Sequence, residues 1–102
     1  MLFFINRVFK LSKVLHGLKQ APKVWYDRLT LFLLQNGFNK EKVYLILFIN
    51  KVSNDILIVQ IYIDDIVLGS TNDLISNKFL NLITNEFKMS LIGEVTTLLL
   101  GR

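Results

Sequence analysis

The residues best suited to chemistry are two adjacent aspartates, Asp64 and Asp65, in the run QIYIDDIVLG (60–69), which is otherwise nearly all apolar. A carboxylate is costly to bury without a partner, so a pair of them between two strand-like segments needs a reason. Successive side chains along a strand point to opposite faces, and two neighbours inside one strand cannot act together. At a tight turn between strands, both can reach the same region of solvent. The pair therefore predicts a hairpin tip. Two readings of that tip stand side by side. Aspartate is an ordinary turn residue, and a tip is an ordinary place for charge. Alternatively, the carboxylates hold Mg²⁺, a hard cation that often sits between one or two carboxylates and substrate phosphates. Two such ions roughly 4 Å apart assist the attacking and leaving oxygens of a phosphoryl transfer. A stiff, buried sheet would be a suitable mount, because such ligands must be held to within about half an ångström.

The elements around the pair read as follows. Ile56 to Ile63 is strand-like and apolar on both faces except at Gln60, which suits the middle of a covered sheet. Val43 to Lys51 is a strand before it, with a turn at Val52-Ser53-Asn54-Asp55. Ile66 to Gly69 is a short strand after it. Upstream, FKLSK (9–13) hints at a further strand, and GLKQAP (17–22) is a punctuated loop. Pro22 suits the first turn of a helix. Trp25, Leu29, Phe32 and Leu33 then mark one helical face, and Gly37 is a natural stop. A second helix starts near Asp73, capped by Thr71 or Asn72. Its stripe is Ile75, Phe79, Leu82, Ile83 and Phe87. Gly93-Glu94 reads as a turn before an apolar, strand-like tail. Together these predict a single α+β domain over residues 1–102, an antiparallel sheet with helices packed on one face.

Composition narrows the function classes. With no cysteine and one histidine, zinc-thiolate and multi-histidine sites are excluded. No apolar run approaches the ~18 residues of a membrane helix. Apolar residues make up 52% of the chain, high enough to suggest surface that expects a neighbour. The net charge is +4, and residues 1–26 carry five basic side chains and no acid. That arm suits phosphates, an organellar transit peptide or a plain solvated face. It runs straight into structured-looking sequence, which favours cytoplasm or nucleus over an organelle or secretion.

The motifs carry a resemblance. YIDD (62–65) between apolar strands resembles the Tyr-x-Asp-Asp motif of reverse transcriptases. GLKQAPKVWYDRL (17–29), FLLQNGF (32–38), LFI (47–49), DILIVQIYIDDIVLGST (55–71) and EFKMSLIGE (86–94) follow in the order and spacing of the copia-type retrotransposon polymerase. The resemblance runs from about residue 8 to the C-terminus. It implies part of a reverse-transcriptase palm and RNA-directed DNA synthesis by two-metal nucleotidyl transfer. The implied cofactor is Mg²⁺. The implied partners are an RNA or DNA template-primer, dNTPs and the rest of the polymerase domain, with no membrane.

By the same resemblance, Asp64 is the principal metal ligand and Asp65 its companion, both catalytic. Tyr62 lies by the primer end or the incoming nucleotide. Gln20 faces nucleotide and template, although a loop glutamine capping the next helix fits as well. Lys19 and Lys23 are candidates for phosphate contacts. Trp25 and Tyr26 invite base stacking, but Trp25 lies on the apolar stripe and reads as core.

The chain also departs from that pattern. The family needs a third carboxylate from a strand upstream of GLKQAP, and no Asp or Glu precedes Asp27. That strand, the fingers before it and a thumb beyond Arg102 are expected to be absent. His16 stands where a tyrosine is usual, and Tyr44-Leu45-Ile46 and Leu98-Leu99-Leu100 replace differently composed stretches. The expectation is a weakly metal-binding chain with little or no activity alone. A non-catalytic, sequence-independent nucleic-acid-binding remnant is the alternative.

Overall fold

The computed structural model describes residues 3–5, 7–13, 22–42, 46–62, 65–95 and 98–100. Two short strands, β1 (Phe3–Ile5) and β8 (Leu98–Leu100), pair antiparallel with each other. The remaining described strands are β2 (Val8–Lys13), β3 (Asn39–Lys40), β4 (Leu47–Val52), β5 (Asp55–Ile61), β6 (Asp65–Ser70) and β7 (Met89–Val95). They form one six-stranded sheet in the order β3-β4-β5-β6-β2-β7, antiparallel at every pairing. Helices α1 (Pro22–Gln35) and α2 (Asp73–Phe87) complete the described elements. The α+β expectation is met.

The alternation of the strands sorts the core into two layers. Leu11, Phe48, Leu57, Val59, Ile61, Ile66 and Leu68 cluster with Trp25, Leu29 and Leu33 of α1 and Phe79 and Ile83 of α2. Their neighbours in sequence, Val8, Leu47, Ile56 and Ile58, form a separate cluster without a helical member, with Ile49 and Val67 against it. Both helices therefore pack on one face. The strand β5, buried on both faces at Ile56 to Val59, lies between β4 and β6, as its apolar run requires.

The helix ends follow from local chemistry. Pro22 opens α1. At its far end Phe38 N–H donates to the Leu33 carbonyl at 3.0 Å and Gly37 N–H to the Leu34 carbonyl at 3.3 Å. Gly37 has φ +92°, so this is a Schellman close, with Leu33 and Phe38 buried together beneath it. Asn72 caps α2, its Oδ1 accepting from Leu74 N–H at 2.9 Å. Asp55 holds this start in place, accepting from Thr71 Oγ1 at 3.0 Å and Asn72 Nδ2 at 3.3 Å.

Three expectations are corrected. Gly93 and Glu94 are not a turn but lie within β7, where Lys10 pairs with Gly93 and Leu11 with Leu91. Ile92 is left over as a bulge, and such an irregularity accommodates a glycine inside a strand. Leu82 is exposed, at 44%, because the buried line of α2 runs through Ser76, Phe79 and Ile83, with Leu80 rather than Leu82 against the core. The strand expected over 43–51 begins at Leu47, with Ile46 in a turn and 43–45 outside the described residues.

Candidate metal-binding hairpin

The site is built by β5 and β6. Their register runs from Leu57 opposite Ser70 to Ile61 opposite Ile66. Leu57, Val59, Ile61, Ile66 and Leu68 are all buried in the helix-side core, so the pair is anchored along its length. Beyond the last pair, Tyr62 N–H donates to the Asp65 carbonyl at 2.7 Å. The chain thus reverses direction between Tyr62 and Asp65, and the expected hairpin is present. The linking residues, Ile63 and Asp64, lie outside the described residues, so the position of the principal candidate ligand is not described.

Asp65 opens β6 and is paired with Ser12 of β2. Its side chain is 30% exposed, and Lys10 Nζ lies 3.6 Å from its Oδ2. Lys10 pairs with Val67, which pairs in turn with Gln60 of β5. Paired residues share a face, so Lys10, Ser12, Gln60, Asp65 and Val67 lie together on the face away from the helices. Tyr62 is half exposed and donates its hydroxyl hydrogen to Gln60 Oε1 at 3.2 Å. The arrangement offers a solvent-reachable carboxylate, an amide, a hydroxyl and a phenol at the end of a rigid strand pair.

The other candidates are dispersed. Lys23 sits in the first turn of α1, its Nζ 2.9 Å from Asp27 Oδ2, one turn further on. Lys19 and Gln20 lie outside the described residues, as do His16 and Gly17. Trp25 is core, with Lys13 Nζ 5.3 Å from its ring centroid. Tyr26 is partly buried, with Lys40 Nζ 5.5 Å from its ring.

Four acids away from the tip, Asp27, Asp55, Asp73 and Glu94, are committed elsewhere. Asp55 holds the start of α2. Arg7 bridges Asp73 and Glu94, each at 3.1 Å, and the hydrogen bonds it donates to Glu94 and then to Asp73 raise its pKa above the ordinary guanidinium value. Among the described residues no group of three His, Cys, Asp or Glu side chains is placed to hold a metal. Sequence reasoning missed Lys10 and Ser12. The signal was the alternation of FKLSK, which sets Lys10 and Ser12 on one face and Phe9 and Leu11 on the other. What it lacked was the identity of the strand beside them.

The sequence is similar to those of known proteins. Residues 4–101 match the family described as "Reverse transcriptase (RNA-dependent DNA polymerase)". The chain is 33% identical over 84 residues to the retrovirus-related Pol polyprotein from transposon RE1 of Arabidopsis thaliana, covering 82% of this chain and 6% of that protein. It is 31% identical over 96 residues to the retrovirus-related Pol polyprotein from transposon TNT 1-94 of Nicotiana tabacum, covering 92% of this chain and 7% of that protein. The polyprotein from transposon RE2 of Arabidopsis thaliana is 30% identical over 82 residues, 80% of this chain and 6% of its own length. No solved structure matches the chain. The chain belongs to the reverse transcriptase family, as a part of the copia-type retrotransposon polymerase. It spans less than a tenth of the length of these relatives.

Proposed function

We propose that these 102 residues form the palm portion of that polymerase and that the Tyr62-Ile63-Asp64-Asp65 hairpin carries the metal-binding carboxylates for RNA-directed DNA synthesis. One observation carries most of the support: the Tyr62–Asp65 backbone bond at the end of a buried strand pair, in a chain of this family. On this reading Asp64 and Asp65 hold Mg²⁺, Tyr62 flanks the primer end or nucleotide, Gln20 faces nucleotide and template, and Lys19 and Lys23 meet phosphates. The partners are template-primer, dNTPs and the remainder of the polymerase domain. The compartment is cytoplasm or nucleus. No helix among the described residues is long and apolar enough to cross a membrane.

The donor chemistry fits a hard cation. Asp65 supplies carboxylate oxygens within reach of solvent and already draws one positive charge, the Lys10 ammonium. When bound, Mg²⁺ supplies neutralisation of phosphate oxygens and a more nucleophilic 3′ hydroxyl. The protein's own share is to fix the carboxylates at the end of β5 and β6, and to present Tyr62 beside them.

Two carboxylates hold Mg²⁺ more loosely than three, and the chain has no acid before Asp27. The 102-residue chain alone therefore has little or no polymerase activity. A primer-extension assay with Mg²⁺, a primed RNA template and all four dNTPs tests this. The expected result is no extension above background. Robust extension that Asp64→Asn abolishes would contradict the inactivity while supporting the site.

A further inference from the structure

We infer that Lys10 is a built-in counter-ion of the hairpin, and that a divalent cation binds at Asp65 only in competition with it. The inference rests on the metal reading above and adds a residue to it. Lys10 Nζ lies 3.6 Å from Asp65 Oδ2. Its backbone is no loose arm, because β2 is paired with β6 on one side and β7 on the other. Within that ladder Lys10 stands opposite Val67, one step diagonal from the Ser12–Asp65 pair, a spacing that long side chains bridge. On its other flank Lys10 is paired with Gly93, where an added Cβ would meet nothing within 4 Å. No side chain on Gly93 therefore crowds the Lys10 stem on that flank.

The electrostatics follow. Asp64 and Asp65 put two like charges on neighbouring residues, and Lys10 offsets one of them. An ammonium and a divalent ion on the same carboxylate repel each other. The Lys10 side chain is 45% exposed and that of Asp65 30%, so solvent weakens both the pairing and the repulsion. Lys10 thus lowers cation affinity without blocking the site.

Mn²⁺ titrated into the 102-residue chain, with the free ion followed by electron paramagnetic resonance, reads this directly. Lys10→Gln tightens Mn²⁺ binding about three- to tenfold, the range for removing one unit charge near a divalent ion at a screened site. Lys10→Arg keeps the wild-type affinity. Lys78→Gln removes the same charge from an exposed position of α2 and shifts affinity less than about twofold. In an Asp65→Asn background, Lys10→Gln makes no further difference. Equal Mn²⁺ affinity in wild type and Lys10→Gln would overturn the role of Lys10 and leave the metal reading standing. No Mn²⁺ binding by either would bring down the metal reading, and this inference with it.

Discussion

Tyr62 and Asp65 close the turn between β5 and β6, the Tyr62 N–H donating to the Asp65 carbonyl across 2.7 Å. That bond makes the link between β5 and β6 a hairpin, with Asp65 as the first residue of β6. Behind it stand ten strand residues in register, Leu57 to Ile61 against Ile66 to Ser70. The strand pair that ends at Tyr62 and Asp65 is therefore held by the core.

The buried line of α2 can be tested with two adjacent residues. Ile83 is fully buried against the sheet, whereas Leu82 is largely exposed. Ile83→Ala should cost about 2–5 kcal/mol, the range for a large-to-small change in a packed core. Leu82→Ala should stay within about 0.5 kcal/mol. Urea unfolding of the two variants, compared at equal m-value, decides it.

Asn72 joins three elements: it caps α2, follows the end of β6 and donates its Nδ2 hydrogen to Asp55 at the start of β5. Asn72→Ala should cost about 1 kcal/mol, as for other lost caps. The same substitution at exposed Asn77, inside the helix, should be neutral or slightly stabilising. Thermal melts of both variants check the contrast.

Gly37 adopts φ +92°, a conformation that an L side chain rarely takes. A Cβ there would also lie 3.4 Å from Asn50 Nδ2, which donates to the Asn36 carbonyl at 3.1 Å. Gly37→Ala should therefore destabilise the chain by about 1–2 kcal/mol. A denaturation midpoint equal to wild type would contradict the Schellman close of α1.

Nucleic-acid binding should be electrostatic and indifferent to sequence, since the net charge is +4 and basic residues are concentrated in residues 1–26. With about three phosphate contacts, affinity for a single-stranded oligonucleotide should fall roughly 10- to 50-fold between 50 and 200 mM salt. Fluorescence anisotropy on two oligonucleotides of unrelated sequence measures both properties. Salt-insensitive binding would contradict the reading.

Much of this architecture was legible because local chemistry decided it. Pro22 and Gly37 bracket α1, Asn72 and Asp73 start α2, and the turn at 52–55 lies where Ser53 takes a left-handed φ of +56°. The apolar runs on either side of Asp64 and Asp65 were enough to call for a hairpin. What stayed hidden depended on partners distant in sequence. FKLSK looks like any short strand, and nothing local places it between β6 and β7. Lys10 gains its meaning at Asp65 only from that placement. The two polar residues of β3, Asn39 and Lys40, show no period at all and are strand only because β4 pairs with them. Gly93 looked like a turn because glycine usually marks one, whereas a bulge at Ile92 accommodates it inside β7.

The central claim is that the Tyr62–Asp65 hairpin is where a divalent cation binds. Mn²⁺ titrated into isotope-labelled protein, with paramagnetic broadening followed amide by amide, tests it most directly. The account predicts that Tyr62 and Asp65 broaden first, that Ile83 stays sharp, and that Asp64→Asn with Asp65→Asn removes the effect. Broadening centred on other acids, such as Glu41 or Glu86, with Tyr62 and Asp65 unaffected, would contradict it.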